Sequence, residues 1–474
     1  MTNHLEVLLH GHHIGEVNRT RSGALRLDYS TAAHVSTPLS LSMPPHEGSH
    51  TGQKVERFLD GLTPQSVSAM DVLTRKHDIN TNDPMSILSL LGKDCAGAVQ
   101  FCSSEDLENL VNREGWLEPT TEAEIEMRLS EMSIDREASW HMEDEHWSLG
   151  GSNQKFALRQ ENNKWHIAHG AEPTTHIVKP GIWRIKAQAL VEHVSMDAAN
   201  RLGLDVAESE YSDFISERAI VITRYDRTRN ISGSLDRVHQ EDMCQALGTD
   251  KHMERFGGPS AAEIMTIVRQ HSSTAREERA NAKKFADGLI YNTVIGAPDA
   301  HARNYSVILD GESVRLAALY DVSTELAYTK GADVTRSMAM SIGGTYDQTE
   351  VGTEHWKRLA EDLELDEQTV LDRVSELAEG VPAAFKSSLE DIDDWDGSAS
   401  EVKKRLIGNL TEHCRRVSPS TSPPDAPGLV AASENPGKNQ ETIRARGLCG
   451  ETRTRDRGFC LHPVAEGKQD CGRH

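Results

Sequence analysis

Gly296-Ala297-Pro298-Asp299-Ala300-His301-Ala302-Arg303-Asn304 runs directly into the apolar stretch Tyr305–Leu309, the turn pair Asp310-Gly311, a second apolar stretch Val314–Leu319, and then Tyr320-Asp321. Asp-Gly between two strand-like runs predicts a β-hairpin. Asn304 enters the first strand and Asp321 leaves the second, so antiparallel pairing puts both at the open end of one ribbon. Asp299, on the loop just before, can overhang that end. A carboxylate as base, with an amide and a second carboxylate as hard oxygen donors, is the set that phosphoryl transfer from Mg2+–ATP requires. Asp and Asn are also ordinary loop residues, so the hairpin and the second aspartate carry the reading.

The rest of the chain sets limits. Its 474 residues suffice for two lobes, and the net charge of -23 argues against a broad surface that tracks nucleic-acid phosphates. No apolar run approaches the roughly 20 residues that span a bilayer, and the first residues lack a signal peptide's basic and apolar regions, so a cytoplasmic location is expected. The seven cysteines stand singly, which speaks against a disulfide framework or a zinc site. His10, His12 and His13 flank Gly11 as a solvated hairpin tip, and no metal spacing shows among the histidines.

Along the chain, Leu5–Val17 alternates as an N-terminal hairpin, and Pro38–Pro45 predicts a short edge strand bounded by prolines. Helices are expected over Val55–Asp60, over Pro84–Leu91 behind an Asp83 cap, and over Thr120–Met132 with acid in its first turn. Lys155–Leu158 and Trp165–Ala168 form a second hairpin through Asn162-Asn163, Thr175–Lys179 is a third strand, and a helix follows from Ala187 to Leu202. Ala219–Tyr225 is strand-like, and helical patterns dominate from Gln240 to Arg416. The stretch after it, crowded with Pro419, Pro423, Pro424, Pro427 and Pro436, reads as a disordered tail. The division expected is 1–140, 141–230, 231–416 and 417–474: an N-terminal subdomain, a nucleotide-binding part, a helical lobe with the catalytic loop, and the tail. This is a bilobal α+β architecture.

Other pieces of a nucleotide site follow. Trp147-Ser148-Leu149-Gly150-Gly151-Ser152-Asn153-Gln154-Lys155 is a small-residue loop before a strand, either a phosphate cradle or a plain turn, and it does not match the P-loop pattern. Lys179 leaves its strand where it can reach phosphates or stay solvated. Glu192 in the next helix can pair with it as in protein kinases, or face solvent. Arg224 and Tyr225 end a strand between the two halves and can offer backbone groups to an adenine edge.

These residues, with the blocks Pro38-Leu39-Ser40-Leu41-Ser42-Met43-Pro44, Leu90-Leu91-Gly92-Lys93-Asp94-Cys95, Pro173-Thr174-Thr175-His176-Ile177-Val178-Lys179 and Gln240-Glu241-Asp242-Met243-Cys244-Gln245, resemble the HipA family of serine/threonine kinase toxins from bacterial type II toxin–antitoxin systems. The resemblance runs to about Arg416. It implies a protein-kinase-like fold related to phosphoinositide kinases, with an extra N-terminal subdomain. It assigns Asp299 as catalytic base, Asn304 and Asp321 as Mg2+ ligands, and Lys179 as the contact to ATP phosphates. Gly150 to Lys155 would cover those phosphates, with His301 beside the nucleotide and backbone at Arg224 and Tyr225 against adenine. Ser148 falls where the family carries a self-inactivating autophosphorylation site. The implied target is an aminoacyl-tRNA synthetase, the glutamyl enzyme first. The implied partner is a helix-turn-helix antitoxin, through which alone the chain would meet DNA. A small-molecule or lipid-headgroup kinase and an inactive kinase-like corepressor are the alternatives. Thr223, Arg303 and Pro298 depart from common family residues without removing a group the chemistry requires.

Overall fold

The computed structural model describes residues 2–31, 36–134, 145–182, 185–328 and 337–419. The tail expected over 417–474 therefore lies outside the described residues from 420 onward. The first sheet is built from the N-terminal hairpin outward. His4–Leu9 and His12–Arg19 turn through His10 and Gly11, both with positive φ (53° and 78°), the backbone that a two-residue hairpin turn demands. The sheet is completed by Leu25–Tyr29, Ser49–Thr51 and Val99–Cys102, all antiparallel. Leu5, Val7 and Leu9 alternate inward and meet Phe58, Leu59 and Leu62 of the helix Gln53–Leu62 and Leu88 of the helix Pro84–Leu91. Asp83 caps the latter by accepting from Met85 N at 3.3 Å.

The segment Pro38–Pro45 departs from expectation. It is a tight loop with one bridge, Ser40 to Met43, instead of an edge strand. Proline removes the donors a strand would need. The remaining backbone groups are satisfied from outside: Tyr29 Oη accepts from Leu39 N and donates to Met43 O, and Glu241 Oε1 accepts from Leu41 N at 2.8 Å.

A six-stranded antiparallel sheet follows, in the order Ser209–Phe214, Glu217–Thr223, His176–Lys179, Phe156–Glu161, Lys164–Gly170 and Gly115–Pro119. Asn162 and Asn163 make its central turn, both in the left-handed region. Its edge strand, Gly115–Pro119, comes from the segment expected to belong wholly to the N-terminal subdomain. The next helix, Glu122–Ile134, packs on the strands 209–214 and 217–223. A boundary at 140 therefore does not divide the sheets. The physical reason is that an isolated strand segment must find an edge to pair with, wherever it lies in sequence.

The helical half carries Ala261–His271, Ala275–Val294, Thr353–Asp362, Glu367–Glu390 and Ser398–Val417 around one large apolar core. Ala282, Phe285, Ala286, Leu289 and Ile290 bury one face of the helix Ala275–Val294, and that helix delivers the chain to Gly296 and the loop beyond. The predicted hairpin is present as Ser306–Asp310 and Ser313–Leu316, with Asp310 opposite Ser313. Its central pair is thus Gly311-Glu312, one residue later than Asp310-Gly311, with Gly311 at φ 60°. Gln240–Asp242 adds a third strand. Among the described residues no helix is long and apolar enough to cross a membrane.

Candidate active site

The loop from Pro298 to Asn304 is held on every side. Ala339 N donates to Pro298 O at 2.8 Å, Ala302 N to His252 O at 3.0 Å, and Asn304 N to His301 O at 2.8 Å. Asn304 Nδ2 donates to Asp299 O at 2.8 Å, which leaves its Oδ1 as the atom able to bind a cation. The hairpin keeps its two exits together: Ala317 N reaches Ser306 O at 2.8 Å, and Tyr320 Oη donates to Arg303 O at 2.7 Å. The residues just before Asn304 and just before Asp321 are therefore directly tied.

Asp321 stands at φ 56°, a left-handed backbone unusual for a residue with a side chain. Its carboxylate accepts from Lys179 Nζ at 2.7 Å, and the same ammonium donates to Glu192 Oε1, also at 2.7 Å. Lys179 ends a central strand and is nearly buried, and Glu192 projects from the helix Gln188–Arg201 with 1% exposure. Burial opposes a charge on Lys179, but Asp321 and Glu192 outweigh it and hold the ammonium protonated. Lys179 pulls Asp321 down to about 2. Burial pushes Glu192 upward, against the pull of Lys179. Lys179 and Asp321 are thus the charged couple, with Glu192 the costlier carboxylate to ionise.

The Asp299 side chain is 70% exposed, yet desolvation by its surroundings and then the charge of Asp321 raise its pKa to about 6. His301 Nε2 lies 3.9 Å from Asp299 Oδ1 and its ring meets His252 edge-on at 4.7 Å between centroids. Lys155 folds back so that Nζ donates to Gly150 O at 2.6 Å. Burial and then repulsion from Lys179 lower its pKa to about 8, so this amine shares the cleft.

The small-residue loop rests on the end of the helix Gln53–Leu62. A Cβ on Gly150 would sit 2.6 Å from Gly61 O, and Gln65 N donates to Gly151 O at 3.1 Å. Glycine at 150 is required by that approach. Gly151 and Ser152 are exposed, while Asn153 and Gln154 are half-buried. Ser148 is fully buried, with Oγ donating to Leu62 O at 2.8 Å, so a kinase can reach it only after the segment leaves this seat.

Arg224 N donates to Thr175 O at 2.9 Å and its carbonyl accepts from Arg227 N, so its backbone is engaged within the fold. The Tyr225 ring lies 5.9 Å from that of Tyr320. The Arg224 guanidinium belongs instead to a buried ion cluster that the sequence reading missed. Asp94 meets Arg227 at 2.9 Å, Arg237 at 3.0 Å and Arg224 at 3.3 Å, and Asp226 accepts from Gly97 N at 2.7 Å. This cluster fastens the N-terminal subdomain to the strand end beside the cleft. Its members lie up to 143 residues apart, so no local pattern announces them. His252 and Arg255, both facing Asp299 electrostatically, were missed for the same reason.

A sheet-bearing lobe and a helical lobe, meeting where a buried lysine–glutamate pair faces a loop aspartate and two oxygen donors, define a protein-kinase-like enzyme of α+β class. The chain belongs to the HipA family: the HipA N-terminal domain profile matches residues 5–102 and the HipA-like C-terminal domain profile matches residues 147–385. It is similar to the kinase candidate Y4mE of Sinorhizobium fredii, at 29% identity over 397 residues covering 82% of this chain and 93% of the relative. It is also similar to the serine/threonine-protein kinase toxin HipA of Shewanella oneidensis, at 24% identity over 394 residues covering 80% of this chain and 87% of that protein. The solved HipA from Shewanella oneidensis, in complex with HipB and its operator DNA, superposes with a TM-score of 0.74 at 23% identity, covering 87% of this chain and 97% of that one. That likeness fixes the fold.

Proposed function

We propose that this chain is an ATP- and Mg2+-dependent serine/threonine protein kinase that arrests growth as the toxin of a type II toxin–antitoxin pair. The observation that carries the reading is Lys179, held at 2.7 Å by both Glu192 and Asp321 at the hairpin end that Asp299 overhangs. Asp299 orients the acceptor hydroxyl and takes its proton. Its raised pKa keeps it a stronger base than an ordinary aspartate while leaving it ionised at neutral pH. The Asn304 amide and Asp321 carboxylate are a hard oxygen set that fits Mg2+, which when bound neutralises phosphate charge. Lys179 and Lys155 bring two amines to the phosphates, and Tyr225 and Tyr320 offer aromatic faces near the expected adenine site.

The protein substrate we assign is an aminoacyl-tRNA synthetase, the glutamyl enzyme first, on the family resemblance. The HipB and operator DNA present with the Shewanella relative support a helix-turn-helix antitoxin as partner, with DNA reached through it. We further assign self-inactivation to Ser148. A phosphate there adds nearly two negative charges and removes the donor now facing Leu62 O, so the modified segment cannot return to its buried seat.

The test is incubation of the purified chain with labelled ATP, Mg2+ and glutamyl-tRNA synthetase. Label on a synthetase serine, absent when Mg2+ is chelated, is expected. Turnover on sugars or inositides with no protein labelled would overturn the assignment.

A further inference from the structure

At the tip of the histidine-rich N-terminal hairpin His12 is exposed, as its sequence predicts, whereas His10 and His13 are half-buried. His10 Nδ1 lies 3.1 Å from Arg237 O, on the strand Leu235–Arg237. The outer face of the first two strands gathers four ionisable side chains. His4 and Glu6 alternate onto that face of the strand His4–Leu9, and Glu16 stands directly opposite Glu6 on the strand His12–Arg19. A β-bulge at Val7 and Leu8 shifts the register so that His13 joins the same face, with Nε2 at 2.8 Å from Glu6 Oε2.

The contacts around His4 can accommodate a cation. Its Nδ1 faces Asn18 Oδ1 at 2.8 Å and Glu16 Oε2 at 3.6 Å, while Nε2 faces Glu6 Oε1 at 2.9 Å. A neutral imidazole has one N–H, so it cannot donate in both directions. Glu6 and Glu16 also repel, because like charges directly opposite on an antiparallel pair destabilise it. Ser104 Oγ, at 2.7 Å from Glu6 Oε1, donates a hydrogen bond and no charge. A proton on His4, an Asn18 amide turned to donate to Nδ1, or a metal ion each resolves the arrangement. Donor atoms of His4, Glu6 and Glu16 already lie within 4.8 Å of one another.

We propose that His4, Glu6 and Glu16 form a site for a divalent transition metal of the zinc class, on the face of the N-terminal sheet and separate from the kinase cleft. One imidazole nitrogen and two carboxylates leave a coordination position open to water, a set zinc accepts. Glu6, the least exposed of the three side chains at 12%, is the fixed member; His4 at 34% and Glu16 at 44% have room to close about 1 Å inward onto an ion. The metal would pin the two first strands where Glu6 and Glu16 now set like charges opposite each other.

The experiment uses the full chain without an affinity tag, stripped with EDTA and titrated with Zn2+ by calorimetry at pH 7.5, with melting followed in parallel. The 22 histidines offer adventitious sites, so the comparison with variants decides. One Zn2+ per chain, a higher melting temperature, and at least a roughly tenfold loss of affinity in both His4→Ala and Glu16→Gln are expected. Phosphotransfer by both variants stays at the parent's level. No saturable Zn2+ binding, or binding that both variants retain, would overturn the site.

Discussion

Replacing Lys179 by Met separates the two jobs of this residue. Its ammonium now lies between Glu192, whose side chain is 1% exposed, and Asp321, which is 35% exposed. Removing one partner of a buried pair costs about 3–5 kcal/mol, because the charge left behind has lost its compensation. Asp321 is screened by solvent and counts little, and Glu192 escapes part of its cost by taking up a proton. The loss should therefore fall at the low end, about 3 kcal/mol, or some two powers of ten in the folding equilibrium. Phosphotransfer should drop by roughly 100- to 1,000-fold, the scale for losing one positioned donor at a developing charge. Adding Glu192→Leu removes the stranded carboxylate. The double variant should regain most of the stability, since apolar replacement of a buried pair is often neutral, but none of the activity. Urea midpoints at constant m-value give the first quantity and single-turnover kinetics the second. A single variant with the parent's midpoint, or a double variant weaker than the single, would refute the reasoning.

Four further outcomes follow from the same geometry. Asp299→Asn should abolish phosphotransfer while ATP affinity changes less than about tenfold, because it removes the base and keeps Lys179, Asn304 and Asp321; normal turnover would sink the assignment. The rate should climb with pH through about 6, since Asp299 is held up there by its walls and by Asp321 and must lose its proton to act; kcat/KM against pH reads this, and a flat acid limb to pH 4 would contradict it. Glu241 is buried and raised to about 8, above its ordinary 4.5, so the folded chain binds more protons than the unfolded one in that window and stability falls as pH rises through it; Glu241→Gln should flatten the fall and outlast the parent in urea at pH 8. Ser148→Ala should prevent self-labelling by ATP, and mass spectrometry that finds the phosphate on another residue of the parent would count against the switch.

Local chemistry in the sequence was enough for the hairpins at His10-Gly11 and Asn162-Asn163, whose turn residues tolerate positive φ. It also marked the cap at Asp83 and the strand–turn–strand that carries Asn304 and Asp321, because these depend on neighbours a few residues away. The class of chemistry was legible for the same reason: base, amide and carboxylate lie within 23 positions of one another. The rest required the fold. Lys179 reads as a strand-end lysine that water could equally well hold, and only the packing of the helix Gln188–Arg201 brings Glu192 to it. Pro38–Pro45 became a braced loop because Tyr29 and Glu241 supply the partners that its prolines deny it. The Asp94 cluster and the His4–Glu16 pairing join residues from different strands, and their energies arise from burial and from charges brought face to face, quantities that no linear spacing encodes.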